Sequence, residues 1–240
     1  MPQDIVYTGF IVKTQDLNEA DILFTFFSQQ SGKLRFLAKS IKKMTSKLRG
    51  RLQPNCLVEV VLTSKGSLPL VINAQVLTAY SDIITRQEGI QAVLALQEVI
   101  VKVLPDELPN SILFERFQEA LKILNEEPNR APGLVVAGFI YTALVSIGLA
   151  PTFPSFTPGT SEQVWYNLKE GVFKERYESA GDQGMSKSAY AVLREMQAVF
   201  IPPGTDHTVI KEVLTVLASF LSYHMERDLK ALDYVIHQLG

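Results

Sequence analysis

Between Ile22 and Val58 the chain carries Lys33, Arg35, Lys39, Lys42, Lys43, Lys47, Arg49 and Arg51 and not one carboxylate. All eight fall within nineteen residues. Cations at this density hold anions. A nucleic-acid backbone is the large cellular anion that needs fixed cations and no reading of bases. Residues 1–80 hold ten Lys and Arg against five Asp and Glu, whereas residues 81–240 hold thirteen against twenty. A basic block therefore stands on a chain whose net charge is −2. A solvated charged loop, or a dock for an acidic protein surface, would have the same composition. The missing counter-charge favours nucleic acid.

Bond-breaking chemistry finds little support. Gly32-Lys33 has the ending of a phosphate loop, but Phe27 stands five positions before Gly32, and Leu34 rather than Ser or Thr follows Lys33. No GxGxxG, GxSxG or HExxH occurs. The histidines are His207, His224 and His237, and the last two lie thirteen apart, too far to share a metal on one helical turn. Asp16, Glu19 and Asp21 cluster at a loop and read as solvated. Cys56 is the one cysteine, which leaves no disulfide within the chain and no thiolate cage. The expectation is a protein with no catalytic residues, no metal and no cofactor.

Several elements must position the cations. Residues 5–78 read as five strands, the last two joined by a turn at Lys65-Gly66-Ser67. In KLRFLAKS, Leu34, Phe36 and Ala38 alternate with Lys33, Arg35, Leu37 and Lys39, which places three cations on one solvent face. Residues 40–53 are too charged for a core and form a long loop, a length that is usually functional or mobile. Tyr7, Phe10, Phe27 and Phe36 are aromatics available for stacking on bases. Five strands with a long connection between the third and fourth fit a small barrel of the OB type.

From about Arg86 the period becomes helical. Asn110 or Ser111 and Ser186 are N-cap candidates. Leu134–Ala150 is uncharged and reads as a buried central helix, not a bilayer span. Residues 152–185 read as irregular apart from a short β element in KEGVFKERY. After the break at Pro202-Pro203-Gly204, the chain from Thr208 to Leu239 reads as one long amphipathic helix. The expectation is α+β: a five-stranded barrel over 1–80 and an all-α domain over 81–240. With no signal-peptide pattern at the N-terminus, the protein is expected in the cytoplasm, associated with the nucleoid, and not in a membrane.

The run from Leu17 to Pro54 resembles the amino-terminal domain of the RecO family of recombination mediators. It carries Asn18-Glu19-Ala20-Asp21, Gly32-Lys33, Ala38-Lys39-Ser40 and Ser46-Lys47-Leu48-Arg49-Gly50-Arg51-Leu52-Gln53-Pro54. LPNSILFERFQEAL, ALVSIGLAP and FLSYHMERDLKALDYV are similar to later segments of the same family, in the same order. The resemblance implies an OB-fold on a helical domain. It also implies binding of single- and double-stranded DNA, annealing of complementary strands, and action with RecR to load RecA on DNA coated by single-strand-binding protein. In that family the C-terminal tail of single-strand-binding protein docks on the helical domain; Lys187, Arg194, Lys211, Arg227 and Lys230 are candidate contacts. There are two departures. Ser40 stands where the family often has Gly. The four-cysteine zinc site of many members has no counterpart between Thr152 and Met185, so packing through Phe153, Phe156 and Trp165 is expected to replace it. A generic single-strand DNA- or RNA-binding module, or a protein adaptor, is the alternative reading.

Overall fold

The structure is a computed structural model that describes residues 4–63, 68–154, 163–196 and 205–239. Five strands close a barrel in the order β1-β2-β3-β5-β4, with β1 Asp4–Asp16, β2 Ile22–Ser28, β3 Gly32–Ala38, β4 Cys56–Thr63 and β5 Leu70–Ala79. All pairs are antiparallel except β3–β5, which meet in parallel at Leu37 and Leu70 alone. The seam between β3 and β5 is therefore short, and beside the first half of β3 it is Asp106 that bridges to Lys33. The alternation in β3 is as expected on its inner side: Leu34, Phe36 and Ala38 are buried in the barrel with Ile11, Phe24, Phe26, Val58 and Val60.

Part of the outer face of β1 and β2 is covered by the helices. Phe10, Val12 and Phe27 belong to the core of the helical body. Phe10 meets Phe114 and Phe117 at centroid distances of 5.5 and 5.1 Å, and Phe27 meets Phe114 at 5.5 Å. Barrel and helices thus share one aromatic seam, because β1 and β2 are apolar on both sides. Gly32-Lys33 belongs to the same junction. Gly32 has φ +68°, and a Cβ there would lie 2.0 Å from the Leu108 carbonyl oxygen. The Glu107 N–H donates to the Lys33 carbonyl at 2.8 Å. These two residues seat the barrel on the chain between helices α1 (Gln87–Val103) and α2 (Ser111–Glu126).

Helix α3 (Pro132–Ser146) is buried on most sides by α1, α2 and α5 (His207–Met225), as its uniform apolarity requires. No helix among the described residues is long and apolar enough to cross a membrane. The Asn110 side chain accepts from the Leu113 N–H and Ser186 from the Ala189 N–H, so both expected caps form.

Three expectations for this half need correction. It is not all-α, and within 152–185 the described residues 163–185 are not irregular. Strands β6 Gln163–Asn167, β7 Val172–Lys174 and β8 Asp182–Ser186 form a sheet in the order β7-β6-β8 ahead of helix α4 (Lys187–Glu195). Thr152 bridges to Val172. Phe153 stacks on Phe173 at 4.8 Å and Trp165 meets Tyr177 edge-on at 5.2 Å; Phe156 lies outside the described residues. The strands are three to five residues long and separated by charged turns, too short to carry a legible period. A polar knot completes the sheet. Lys174 meets Glu170, Asp182 and Glu178 at 2.8, 3.2 and 3.4 Å. Asp182 also accepts from Asn167 and Ser179 side chains and from the Glu178 and Ser179 N–H groups.

The third correction concerns the C-terminal helix, which is two helices. Glu226 adopts φ +51° after α5, and α6 spans Lys230–Gln238. The apolar period runs on across the break, which hides it in the sequence. Glu98 of α1 fixes the new helix by accepting from the Ala231 and Leu232 N–H groups at 2.7 and 3.2 Å, a cap supplied from another helix. The turns at Lys65-Gly66-Ser67 and Pro202-Pro203-Gly204 lie outside the described residues.

Candidate nucleic-acid interface

The basic loop is built from both ends. At its start, Asn18 Oδ1 accepts from the Ala20 and Asp21 N–H groups at 2.8 Å each, an Asx turn that aims Asp21 at the end of β3. Asp21 Oδ1 then accepts from the Ser40 N–H at 2.7 Å, where Ser40 has φ +54°. That hydrogen bond, with one from Asn18, holds the Asp21 carboxyl below its ordinary range, and the nearby Lys39 and Lys43 charges add to the effect. The left-handed turn explains why glycine suits the Ser40 position. The acidic cluster is thus partly structural. Asp16 also reaches Lys42 at 2.8 Å.

Apolar residues anchor the loop. Ile41 and Leu52 are buried in the barrel core, with Leu48 packed beside them. The loop therefore plugs one end of the barrel, and its cations stand on an anchored frame. Cys56, next to this plug, is a buried core residue whose thiol is pushed up by desolvation.

The eight expected site residues divide by their partners. Lys33 is overturned as a solvent-face cation. It is 8% exposed, donates to the Val101 carbonyl at 2.7 Å and pairs with Asp106 at 3.2 Å. The end of α1 covers its side of β3, an event that strand alternation cannot foretell. Arg35 is exposed and faces Asp106 at 3.8 Å. Lys42 is half-buried on Asp16 and the Asn18 carbonyl. Arg51 donates to Asn73 Oδ1 and the Ala74 carbonyl at 3.0 and 3.2 Å, which fastens the loop to β5. Lys39, Lys43, Lys47 and Arg49 are exposed, with no ion pair or side-chain hydrogen bond among the described residues. Of the eight, Lys33, Arg35 and Lys42 have a carboxylate partner among the described residues, and Arg51 has neutral partners only.

The structure adds Lys13. A bulge between Ile11 and Lys13 shifts the β1 register, so Lys13 pairs with Thr25, which in turn pairs with Arg35. Lys13, Thr25 and Arg35 form one row across the outer face of β1, β2 and β3 and line a depression of about 210 Å³. Simple alternation from the buried Ile11 would have pointed Lys13 into the barrel, and no local signal marks the bulge.

Of the four candidate stacking aromatics, Phe10, Phe27 and Phe36 are fully buried. Tyr7 alone is half-buried, and it lines a second cavity of about 540 Å³ at the opposite barrel end from the loop. Among the described residues no group of three or more His, Cys, Asp or Glu is placed to hold a metal.

The molecule is an α+β protein: a five-stranded barrel with a cationic loop and sheet face, seated on a helical body. Residues 1–80 match the family model for the N-terminal part of recombination protein O, and residues 88–233 match that for its C-terminal part. Several curated proteins named DNA repair protein RecO are similar along nearly the whole chain. That of a Nocardioides species is 25% identical over 242 residues, covering 95% of this chain and 97% of its own. The Streptomyces coelicolor protein is 25% identical over 254 residues, with coverages of 95% and 96%. The Desulforamulus reducens protein is 22% identical over 241 residues, with coverages of 95% and 92%. The chain belongs to the RecO family of DNA repair proteins.

Proposed function

We propose that this chain is a recombination mediator that binds single- and double-stranded DNA, anneals complementary strands and, with RecR, helps to load RecA on DNA coated by single-strand-binding protein. The observation that carries the reading is the set of uncompensated cations. Lys39, Lys43, Lys47 and Arg49 stand exposed on an anchored loop, and Lys13 and Arg35 continue them across the sheet. Annealing needs no covalent step. Two polyanionic strands repel, and a cationic surface lowers that repulsion while the bases pair. The acidic helical half would repel DNA and suits protein contacts, and the tail of single-strand-binding protein would dock there on one of the candidate Lys or Arg side chains.

The test is strand annealing in the presence of single-strand-binding protein, with binding measured against salt. Six phosphate contacts predict a log–log salt slope of roughly −4 for single strands. Replacing Lys39, Lys43, Lys47 and Arg49 together by Ala should flatten the slope by roughly 3 and abolish annealing. An unchanged slope in that variant overturns the site. DNA binding without annealing would leave a generic nucleic-acid module. Retention of a protein partner after nuclease treatment, with no DNA binding, would leave an adaptor.

A further inference from the structure

We infer that the open mouth of the barrel takes one base from a bound single strand, with the phosphates held outside on the sheet face. This rests on the DNA-binding reading and adds a subsite to it. The cavity has a volume of about 540 Å³, ample for a nucleobase. β3 and β5 meet only at Leu37 and Leu70, and Asp106 bridges to Lys33 beside the first half of β3, so the cavity is bordered by Leu68-Pro69 on one side and Asp106-Glu107 on the other.

The lining has the polarity of a nucleotide. Leu34 and Leu62, both buried in the barrel core, form apolar walls, and the half-buried Tyr7 supplies a ring. Glu107 lines this cavity and not the neighbouring depression, whereas Asp106 borders both. Ionised carboxylates only accept hydrogen bonds, so they match the amino and imino N–H groups of a base and repel a phosphate. Of the two cations that line the cavity, Lys33 is held by Asp106 and the Val101 carbonyl, and Arg35 is exposed. Arg35 borders both this cavity and the neighbouring depression that holds Lys13. A strand with phosphates on Lys13 and Arg35 therefore has a sugar beside the opening. Charge directs the phosphate outward and the base inward, where stacking is sequence-tolerant.

The experiment compares a labelled mixed-sequence single strand with an abasic strand of equal length, which keeps every phosphate. The wild type should bind the base-bearing strand roughly 5- to 100-fold more tightly. Tyr7→Leu should bring that ratio towards one while leaving the affinity for the abasic strand, and the salt slope, unchanged. Ile5→Trp should do the same by filling the mouth; Ile5 is 45% exposed and lines the cavity, so this variant decides the matter if Tyr7→Leu folds poorly. Equal affinities in the wild type, or a ratio that neither variant changes, would overturn the base site while leaving the phosphate path intact. Failure of the wild type to bind either strand would refute the DNA-binding reading itself, and the base site with it.

Discussion

Among the described residues Asp106 is the carboxylate that pairs with Lys33 and Arg35, and its removal should tighten DNA binding while weakening the fold. Its oxygens lie 3.2 Å from Lys33 Nζ and 3.8 Å from Arg35 Nη2. A phosphate seated on Arg35 would sit about 6 Å from this carboxylate, a repulsion of about 0.7 kcal/mol in water and about twice that at half the dielectric constant. Asp106→Asn should therefore raise single-strand affinity about 3- to 10-fold at low salt. The gain should shrink at about 0.2 M salt, where screening acts over less than about 10 Å. Stability should move the other way. Lys33 has a side chain only 10% exposed and would keep the Val101 carbonyl but lose its counter-charge. The loss should be about 1–2 kcal/mol, set by a pair whose acid is half-exposed. Fluorescence anisotropy at two salt concentrations and urea unfolding of the same preparation measure both. A variant that is simply looser would lose affinity and stability together. Unchanged or weaker binding at low salt would refute the placement of phosphate on this face.

Gly32→Ala should cost about 2–4 kcal/mol in urea unfolding, since a left-handed backbone and a backbone clash with Leu108 coincide there. A neutral result would mean that the barrel does not seat on residues 104–110. Ser40→Gly should be neutral or stabilising by up to about 1 kcal/mol, because relief of the left-handed strain offsets the added chain entropy; clear destabilisation in thermal melts would count against the Asp21 clamp. Asp182→Asn should lower Tm by roughly 4–10 °C at neutral pH. Asp182 is held well below its ordinary range, by the Asn167 hydrogen bond first, so its folded form loses its proton more readily than the unfolded one. That stabilisation is present above the unfolded value of about 3.9 and fades as pH falls towards the folded value. The Tm gap between variant and wild type should therefore narrow below about pH 4, and a gap constant from pH 7 to 3 would contradict the linkage.

The barrel was legible because its signals are local. Period-two alternation in KLRFLAKS, the apolar CLVEVVL and the long charged connection each follow from strand geometry within one segment. The caps at Asn110 and Ser186 were legible for the same reason. The small sheet was hidden by strands too short for a period, and the turn at Glu226 by an apolar pattern that continues on both sides.

The amino-acid sequence by itself determined the α+β class, the density of cations between Lys33 and Arg51, and the absence of any acid among them. Tertiary structure decided which of those charges are available. Lys33 is held by Asp106 and Val101 and Lys42 by Asp16, while Arg51 is oriented by the neutral oxygens of Asn73 and Ala74. Lys13 is gained because one bulge reverses its direction. These partners lie 22 to 73 residues away along the chain. Only the closure of the barrel and its seating on α1 bring them together.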